Sequence, residues 1–402
     1  MHKNKDETNI PGVIRTIHNS PHMIVLAITG GGTESIGELL RYGKGSDTVI
    51  EAIVPYSKES LEKFIGKKPS EYASTDTAKE MAMSAFRRAL YLNSKPDKKY
   101  YETLIGIGVT CKLTKTTNER EGRQHEVHFA SQSYLKTITS SLFLKENASR
   151  EEQEKIASDF IIENIAAVCN PDENLEGNSF KNTIVKEIIN NETEADFPVA
   201  ELLLKTLENI NSENSIEPLK IDLGINDNKP KIIFSGSFNP CHEKHIEIAK
   251  IAADEYKEPV NFEISLANVD KPPIDYISLK DRIDSLLKYQ EENYIGNIYL
   301  TNSPLFADKA VLFPNSVFLI GTDTLNRLFN EKYYRNGENK QILLEHFQKY
   351  NVRFMIFKRK NADIDPDMEI PDICDIVPTD RYDDDGTSST IIRNNKIRDF
   401  II

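Results

Sequence analysis

Two short stretches carry residue types suited to phosphate chemistry. In Gly236-Ser237-Phe238-Asn239-Pro240-Cys241-His242-Glu243-Lys244-His245 a glycine turn precedes two histidines three positions apart. Such a turn aims backbone N–H groups at an anion, and the positive end of a following helix adds to the attraction. His242 and His245 share one face of the first helical turn, where both rings reach the same oxygens. An isolated pair would more often cap a helix or sit in a core; after a glycine turn the pair reads as a donor set for a transferring phosphoryl group. The second stretch is Asp383-Asp384-Asp385-Gly386-Thr387-Ser388-Ser389-Thr390-Ile391-Ile392-Arg393. Its turn leads to Ser388 or Ser389 as a cap, and Arg393 lies one turn inside the helix, able to grip the outer phosphates of a nucleotide. Alone, Ser-Ser-Thr at a helix start would be a good cap and nothing more.

The elements that must position these residues follow from periodicity. From residue 231 the pattern predicts strands at 231–235, 260–266, 298–300, 317–320 and 352–357, and helices at 242–256, 278–291, 322–329 and 341–350. Strands alternating with helices imply a parallel sheet that takes ligands at the carboxyl ends of its strands. Upstream, strands are expected at 23–29, 48–55, 103–110 and 124–130, with helices at 35–41, 57–65, 75–92, 149–168 and 200–210. Residues 170–191 are rich in Asn and Glu with weak periodicity, and 211–230 is polar with two prolines. The expected organisation is therefore an α/β domain over 1–210, a linker over 211–230 and a second, Rossmann-like α/β domain over 231–402.

The chain has 402 residues, 39% hydrophobic and 28% charged, enough for two cores. A formal charge of -13 argues against broad nucleic-acid contact while allowing a local phosphate site. Cys111, Cys169, Cys241 and Cys374 lie far apart with no CxxC pair or zinc spacing, so neither disulfides nor a protein-held metal is expected. There is no apolar run of about 18 residues and no signal-peptide pattern at the start, which excludes a membrane span on this reading. The cytosol is the expected location, with the nucleus as the alternative.

The two stretches together resemble the HxGH nucleotidyltransferases, and among them the nicotinamide mononucleotide adenylyltransferases, which pair GSFNPxHxGH with a late ISSTxxR. The likeness covers residues 231–398. Gly321-Thr322-Asp323-Thr324-Leu325 resembles the family's glycine and aspartate motif, and Lys271 and Arg282 occupy positions where the family places a basic residue near proline and a helical arginine. The resemblance implies in-line attack of a substrate phosphate on the α-phosphate of ATP, with Mg²⁺ accompanying the nucleotide and pyrophosphate leaving. In that scheme His242 and His245 stabilise the phosphorus centre, and Gly236, Ser237 and Phe238 form the phosphate loop. Ser388, Ser389, Thr390 and Arg393 hold the outer phosphates, and Asp323 orients the sugar or base. Other phosphorylated acceptors, CTP in place of ATP, or non-catalytic nucleotide sensing are the competing readings. The family's central glycine is Lys244 here, which either crowds the adenine or touches a phosphate, and only Phe329, Tyr333 and Tyr334 offer rings for a nicotinamide.

Ala27-Ile28-Thr29-Gly30-Gly31-Gly32, Glu51-Ala52-Ile53-Val54-Pro55-Tyr56-Ser57 and Ile107-Gly108-Val109-Thr110 are similar to the C-terminal domain of the competence-damage (CinA) proteins, which are nicotinamide nucleotide amidases in bacteria. Such an amidase needs a serine before Thr-Gly-Gly and a lysine after Tyr-Ser. The corresponding positions are Ile28 and Leu61, so an inactive amidase fold is expected, with Thr29 or Thr33 acting with a shifted lysine as the alternative. The resemblance implies a binding module, with affinity for a pyridine nucleotide, and homo-oligomerisation through this domain.

Overall fold

The computed structural model describes residues 10–93, 101–115, 122–145, 148–171, 184–208, 217–224, 230–267, 271–334 and 337–393. The chain divides into two compact units, Met1–Ala200 with Asp270–Ile277, and Glu201–Val269 with Ser278–Ile402.

Elements of the first part of the chain are α1 (Ile10–Asn19), β1 (Met23–Thr29), α2 (Glu34–Arg41), α3 (Gly45–Thr48), β2 (Val49–Ile53), α4 (Lys58–Ile65), α5 (Thr75–Leu92), β3 (Leu104–Lys112), β4 (His125–Gln132), β5 (Lys136–Leu144), α6 (Arg150–Cys169), β6 (Val185–Glu194) and α7 (Phe197–Glu208). The six-stranded sheet runs β2-β1-β3-β4-β5-β6. Its β2, β1 and β3 are parallel, and β3 to β6 form an antiparallel meander. One face is covered by α5, whose approach depends on glycine: a Cβ on Gly106 would fall 2.1 Å from the Phe86 nitrogen, and one on Gly108 2.2 Å from the Ala78 oxygen. On the other face Ile14 and Ile17 of α1 and Phe160 and Ile161 of α6 join Ile24, Leu26, Ile28, Ile107 and Val109 in one apolar core. Ser149 and Glu152 form a capping box that starts α6.

Both positions that an amidase would use are core positions: Ile28 is fully buried and Leu61 packs with Ala27, Ile65 and Met81. Thr29 Oγ1 donates to the Pro55 carbonyl at 3.0 Å, and Thr33 donates its N–H to Glu154 Oε1 at 2.8 Å, so both threonines are structurally engaged.

Glu163, buried on α6 beside Asp159, has its carboxyl pushed up to about 7, chiefly by burial and then by that neighbouring charge. The folded-state value lies above the ordinary 4.5. The folded chain therefore holds the extra proton between those two values, and stability falls as pH rises through that window. Glu163→Gln is expected to raise the thermal midpoint by a few degrees at pH 8 and by nothing at pH 5, read by circular dichroism. An equal gain at both pH values would refute the assignment.

The later elements are β7 (Leu219–Ile221), β8 (Ile232–Ser235), α8 (Glu243–Tyr256), β9 (Val260–Ser265), α9 (Tyr276–Leu287), β10 (Ile295–Thr301), α10 (Phe306–Leu312), β11 (Val317–Gly321), α11 (Thr322–Leu328), α12 (Lys340–Lys349), β12 (Arg353–Phe357) and β13 (Cys374–Ile376). The sheet order is β13-β12-β11-β8-β9-β10-β7, parallel throughout except for β7. Strand β7 lies inside the stretch expected as a linker, of which 211–216 and 225–229 are outside the described residues. It forms because a free sheet edge satisfies the backbone of even three residues, pairing Ile221 with Ile298 and Leu219 with Leu300.

Candidate functional site

The first of the parallel strands of the second sheet, β8, has β11 on one side and β9 on the other. The strand order reverses there, and such a switch point leaves a crevice at the carboxyl ends of the adjoining strands. The loop after β8, the turn after β11 and the residues after β12 all open at that end.

The loop after β8 is tied from several sides. Gly236 donates its N–H to the Glu263 carbonyl at 3.1 Å. Phe238, at φ 42°, turns its buried ring back beneath Gly236, where a Cβ would meet that ring at 2.8 Å. The same ring makes edge contacts with Phe234, Phe262 and His245 at centroid distances of 5.2 Å. Phe238 thus supports the loop from the core, and any contribution to a ligand comes from its backbone. Ser285 on α9 accepts the Cys241 N–H at 2.8 Å and anchors the far end.

His242 is the N-cap of α8. Its N–H donates to His245 Nδ1 at 3.2 Å, so neutral His245 carries its proton on Nε2. The rings lie 3.9 Å apart between centroids. Burial, then the charge of Arg359, lowers the pKa of His242 below the ordinary value, while burial, His242 and Arg359 hold His245 well below it. Both are neutral at pH 7, and His242 Nδ1, though buried, has no hydrogen-bond partner.

The two sequence stretches meet directly. Residues 389–393 are helical, with Ser388 Oγ accepting the Ile391 N–H at 3.3 Å. Ser389 Oγ donates to the Pro240 carbonyl at 2.9 Å, and Arg393 donates to the Asn239 carbonyl and, at 3.2 Å, to Thr390 Oγ1. Arg393, expected on the outer phosphates, directs two of its five donors at its own site.

Lys244 is held by groups of the protein itself. Its Nζ donates to Glu247 Oε2 at 2.8 Å and to the Asp383 carbonyl at 2.9 Å, with Asp385 3.9 Å away and the Tyr382 ring 5.6 Å below. The side chain ties α8 to the acidic turn ahead of Ser388. Lys244→Gly is expected to leave the domain folded and to weaken ATP binding roughly five-fold, the value of about 1 kcal/mol for one hydrogen bond. Calorimetry showing unaltered affinity would overturn that role.

Gly321 caps α11, and a Cβ there would lie 2.6 Å from Asp323 Oδ1 and 3.0 Å from Arg359 Nε. The absent side chain lets a carboxylate and a guanidinium lie against the backbone. Arg359 was not singled out by the sequence. It follows β12, its N–H donates to Thr322 Oγ1 at 3.0 Å, and its Nη1 is 3.9 Å from Asp384 Oδ1. Asp384 is buried, accepts the Lys360 N–H through Oδ2 at 3.0 Å, and makes no hydrogen bond through Oδ1. No local signal marked it: β12 lies one strand beyond β11 from β8, and only the pairing of β12 with β11 carries Arg359 to Gly321.

The structure thus brings together Gly236, Ser237, His242, His245, Ser388, Ser389, Thr390 and Arg393 as one assembly, while Asp323 and Arg359 both lie against Gly321. Arg282 lies on α9, whose Ser285 holds the loop. Lys271 is exposed and belongs to the segment grouped with the first unit. Phe329 and Tyr334 pack into the apolar core around Phe318 and Phe354, and the Tyr333 side chain is outside the described residues.

In the first unit a cleft of about 450 Å³ is lined by Gly31, Thr33, Glu34, Tyr56, Arg150, Glu151 and Glu154. Three carboxylates against one guanidinium make it a poor receptor for a phosphate.

Known proteins are similar to each of the two parts of the chain. The family model described as cytidylyltransferase-like matches residues 233–395. A putative nicotinamide mononucleotide adenylyltransferase from Schizosaccharomyces pombe (strain 972) is 28% identical over 127 residues, which is 30% of this chain and 50% of that protein. The matched stretch thus spans half the length of that relative. The N-terminal region matches solved structures of the competence/damage inducible protein CihA from Agrobacterium tumefaciens and of a CinA superfamily protein from Enterobacter cloacae. The former is 17% identical and the latter 15%, covering 41% and 42% of this chain and 99% of each of theirs, both at TM-score 0.32. Among the described residues no helix is long and apolar enough to cross a membrane.

Proposed function

We propose that the cytidylyltransferase-like nucleotidyltransferase domain at residues 233–395 transfers the adenylyl group of ATP to a phosphorylated acceptor, nicotinamide mononucleotide, with release of pyrophosphate. The observation that carries the nucleotide site is a pair of buried polar atoms without hydrogen-bond partners, His242 Nδ1 and Asp384 Oδ1, the first in a ring that feels the charge of Arg359 and the second 3.9 Å from its guanidinium. Buried polar atoms of this kind are satisfied in nearly all folded proteins, so a ligand is the natural partner. Support for the acceptor comes from the Schizosaccharomyces pombe relative.

In this mechanism an acceptor phosphate oxygen attacks the α-phosphorus in line and the pyrophosphate oxygen departs. No protein nucleophile takes part. The neutral His245 and His242 rings and the Arg359 guanidinium stabilise charge that builds on the non-bridging oxygens, and the Gly236–Ser237 backbone with the Ser388–Thr390 helix start holds the leaving phosphates. Among the described residues no three carboxylate, imidazole or thiol groups converge to hold a metal. Mg²⁺ would accompany the ATP phosphates, where it would spread their charge.

A non-catalytic nucleotide sensor is the second reading, favoured by the engagement of Arg393 with Asn239 and of Lys244 with Asp383. The N-terminal unit is read as a binding or oligomerising module, because Ile28 and Leu61 leave it without amidase groups. The deciding experiment measures pyrophosphate release with ATP or CTP across a panel of phosphorylated acceptors, with His242→Ala as control. Turnover with ATP and nicotinamide mononucleotide supports the proposal. Turnover only with CTP or another acceptor changes its substrate, and ATP binding without any turnover leaves the sensor.

A further inference from the structure

Behind the phosphate loop lies a polar cluster that the mechanism above does not use. Glu263 on β9 is fully buried and Lys309 on α10 nearly so, and Lys309 Nζ donates to Glu263 Oε2 at 2.7 Å. Ser235, the last residue of β8, donates to the same oxygen at 2.6 Å and accepts from Lys309 at 2.5 Å. Thr301, the last residue of β10, donates to Glu263 Oε1 at 2.6 Å. The backbone carbonyl of Glu263 receives the Gly236 N–H at 3.1 Å.

We infer that Lys309 and Glu263 are positioning residues for nucleotidyl transfer, a buried ionic anchor that fixes where the phosphate loop leaves β8. A buried ion pair is a poor device for stability alone, since apolar side chains of similar volume commonly do as well or better. Its location explains its presence. One carboxylate gathers the carboxyl ends of β8 and β10 and the start of α10, and the residue it belongs to also binds the first glycine of the loop. Gly236 cannot shift without breaking its hydrogen bond to the Glu263 carbonyl, and Ser235, immediately before it, is tied to the buried carboxylate itself.

This inference rests on the proposed reaction, and the test separates the two. In the full-length protein, Glu263→Gln/Lys309→Met removes both charges and preserves the shape. Expected are a fall in kcat of about ten- to a hundred-fold, the range that a misplacement near 1 Å produces, with KM for ATP changed less than about three-fold. Amide exchange of Gly236 to Phe238 should accelerate about ten-fold while β12 amides keep their rates. A merely structural role would lower the melting temperature and leave kcat per folded molecule and loop exchange as they were, and that result overturns the inference. If the double variant does not fold, Ser235→Ala, which cuts only the tie from β8 to the pair, decides through the same exchange measurement: faster loop exchange supports the anchor and unchanged exchange refutes it. Should the wild-type protein show no transfer, the proposed reaction fails while loop exchange still reads the anchor.

Discussion

His242→Ala is expected to reduce nucleotidyl transfer about a hundred- to a thousand-fold, the usual consequence of removing one preorganised donor from a charge-stabilising site. The fold should survive. His242 contributes to α8 through its backbone, whose N–H and carbonyl remain in the alanine variant, and its Nδ1 bonds to nothing in the protein. No partner is stranded by the substitution. The loss should therefore fall on kcat, with melting temperature close to wild type by calorimetry. Transfer that persists within about three-fold of wild type would remove His242 from the chemistry.

The same pair sets a pH dependence. Because burial and Arg359 depress both imidazole values, the unfolded chain takes up protons on these rings at a higher pH than the folded chain does. Stability therefore declines as pH falls below the ordinary 6.5, down to the folded-state values. Neutral rings are the working form, so the acid limb of kcat/KM should lie below 6.5 as well.

Both stretches that meet in the structure were legible in the sequence, because a glycine turn, a three-residue histidine spacing and a Ser-Ser-Thr helix start each impose local geometry. What local pattern could not carry was adjacency. Arg359 sits in a Lys358-Arg359-Lys360 run that reads as a solvated surface, and only the pairing of β12 with β11 brings it to Gly321. Strand β6 was hidden for a different reason: it is an exposed edge whose sequence, VKEIINNETE, is mostly polar, held by its ladder with β5. Helix α1 carries Pro11 and Gly12, which obscure it, although Ile10, Ile14 and Ile17 keep helical spacing and are all buried. Phe238 is a motif residue whose ring belongs to the core, which leaves its backbone to the loop.

Arg359→Met should be nearly as damaging as loss of His242, and by a different route. The guanidinium lies beside Gly321 and 3.9 Å from Asp384 and depresses the pKa values of both histidines, so it is a cation on which several parts of the site converge. A methionine keeps much of the apolar stem and removes the charge. On the nucleotide side a fork of donors to phosphate oxygens is lost, worth about a hundred-fold or more in transition-state stabilisation. On the protein side Asp384 loses the cation that lies 3.9 Å from it, and the imidazole values should rise towards the ordinary 6.5. Two measurements then separate a phosphate receptor from a local structural charge. ATP affinity and kcat should both fall in Arg359→Met, with Arg359→Lys recovering the charge but not the fork and so regaining only part of the rate. The acid limb of the residual activity should move to higher pH as the histidines titrate more easily. An unchanged acid limb together with unaltered ATP affinity would place Arg359 outside the site, and Asp384 Oδ1 would need another explanation for its isolation.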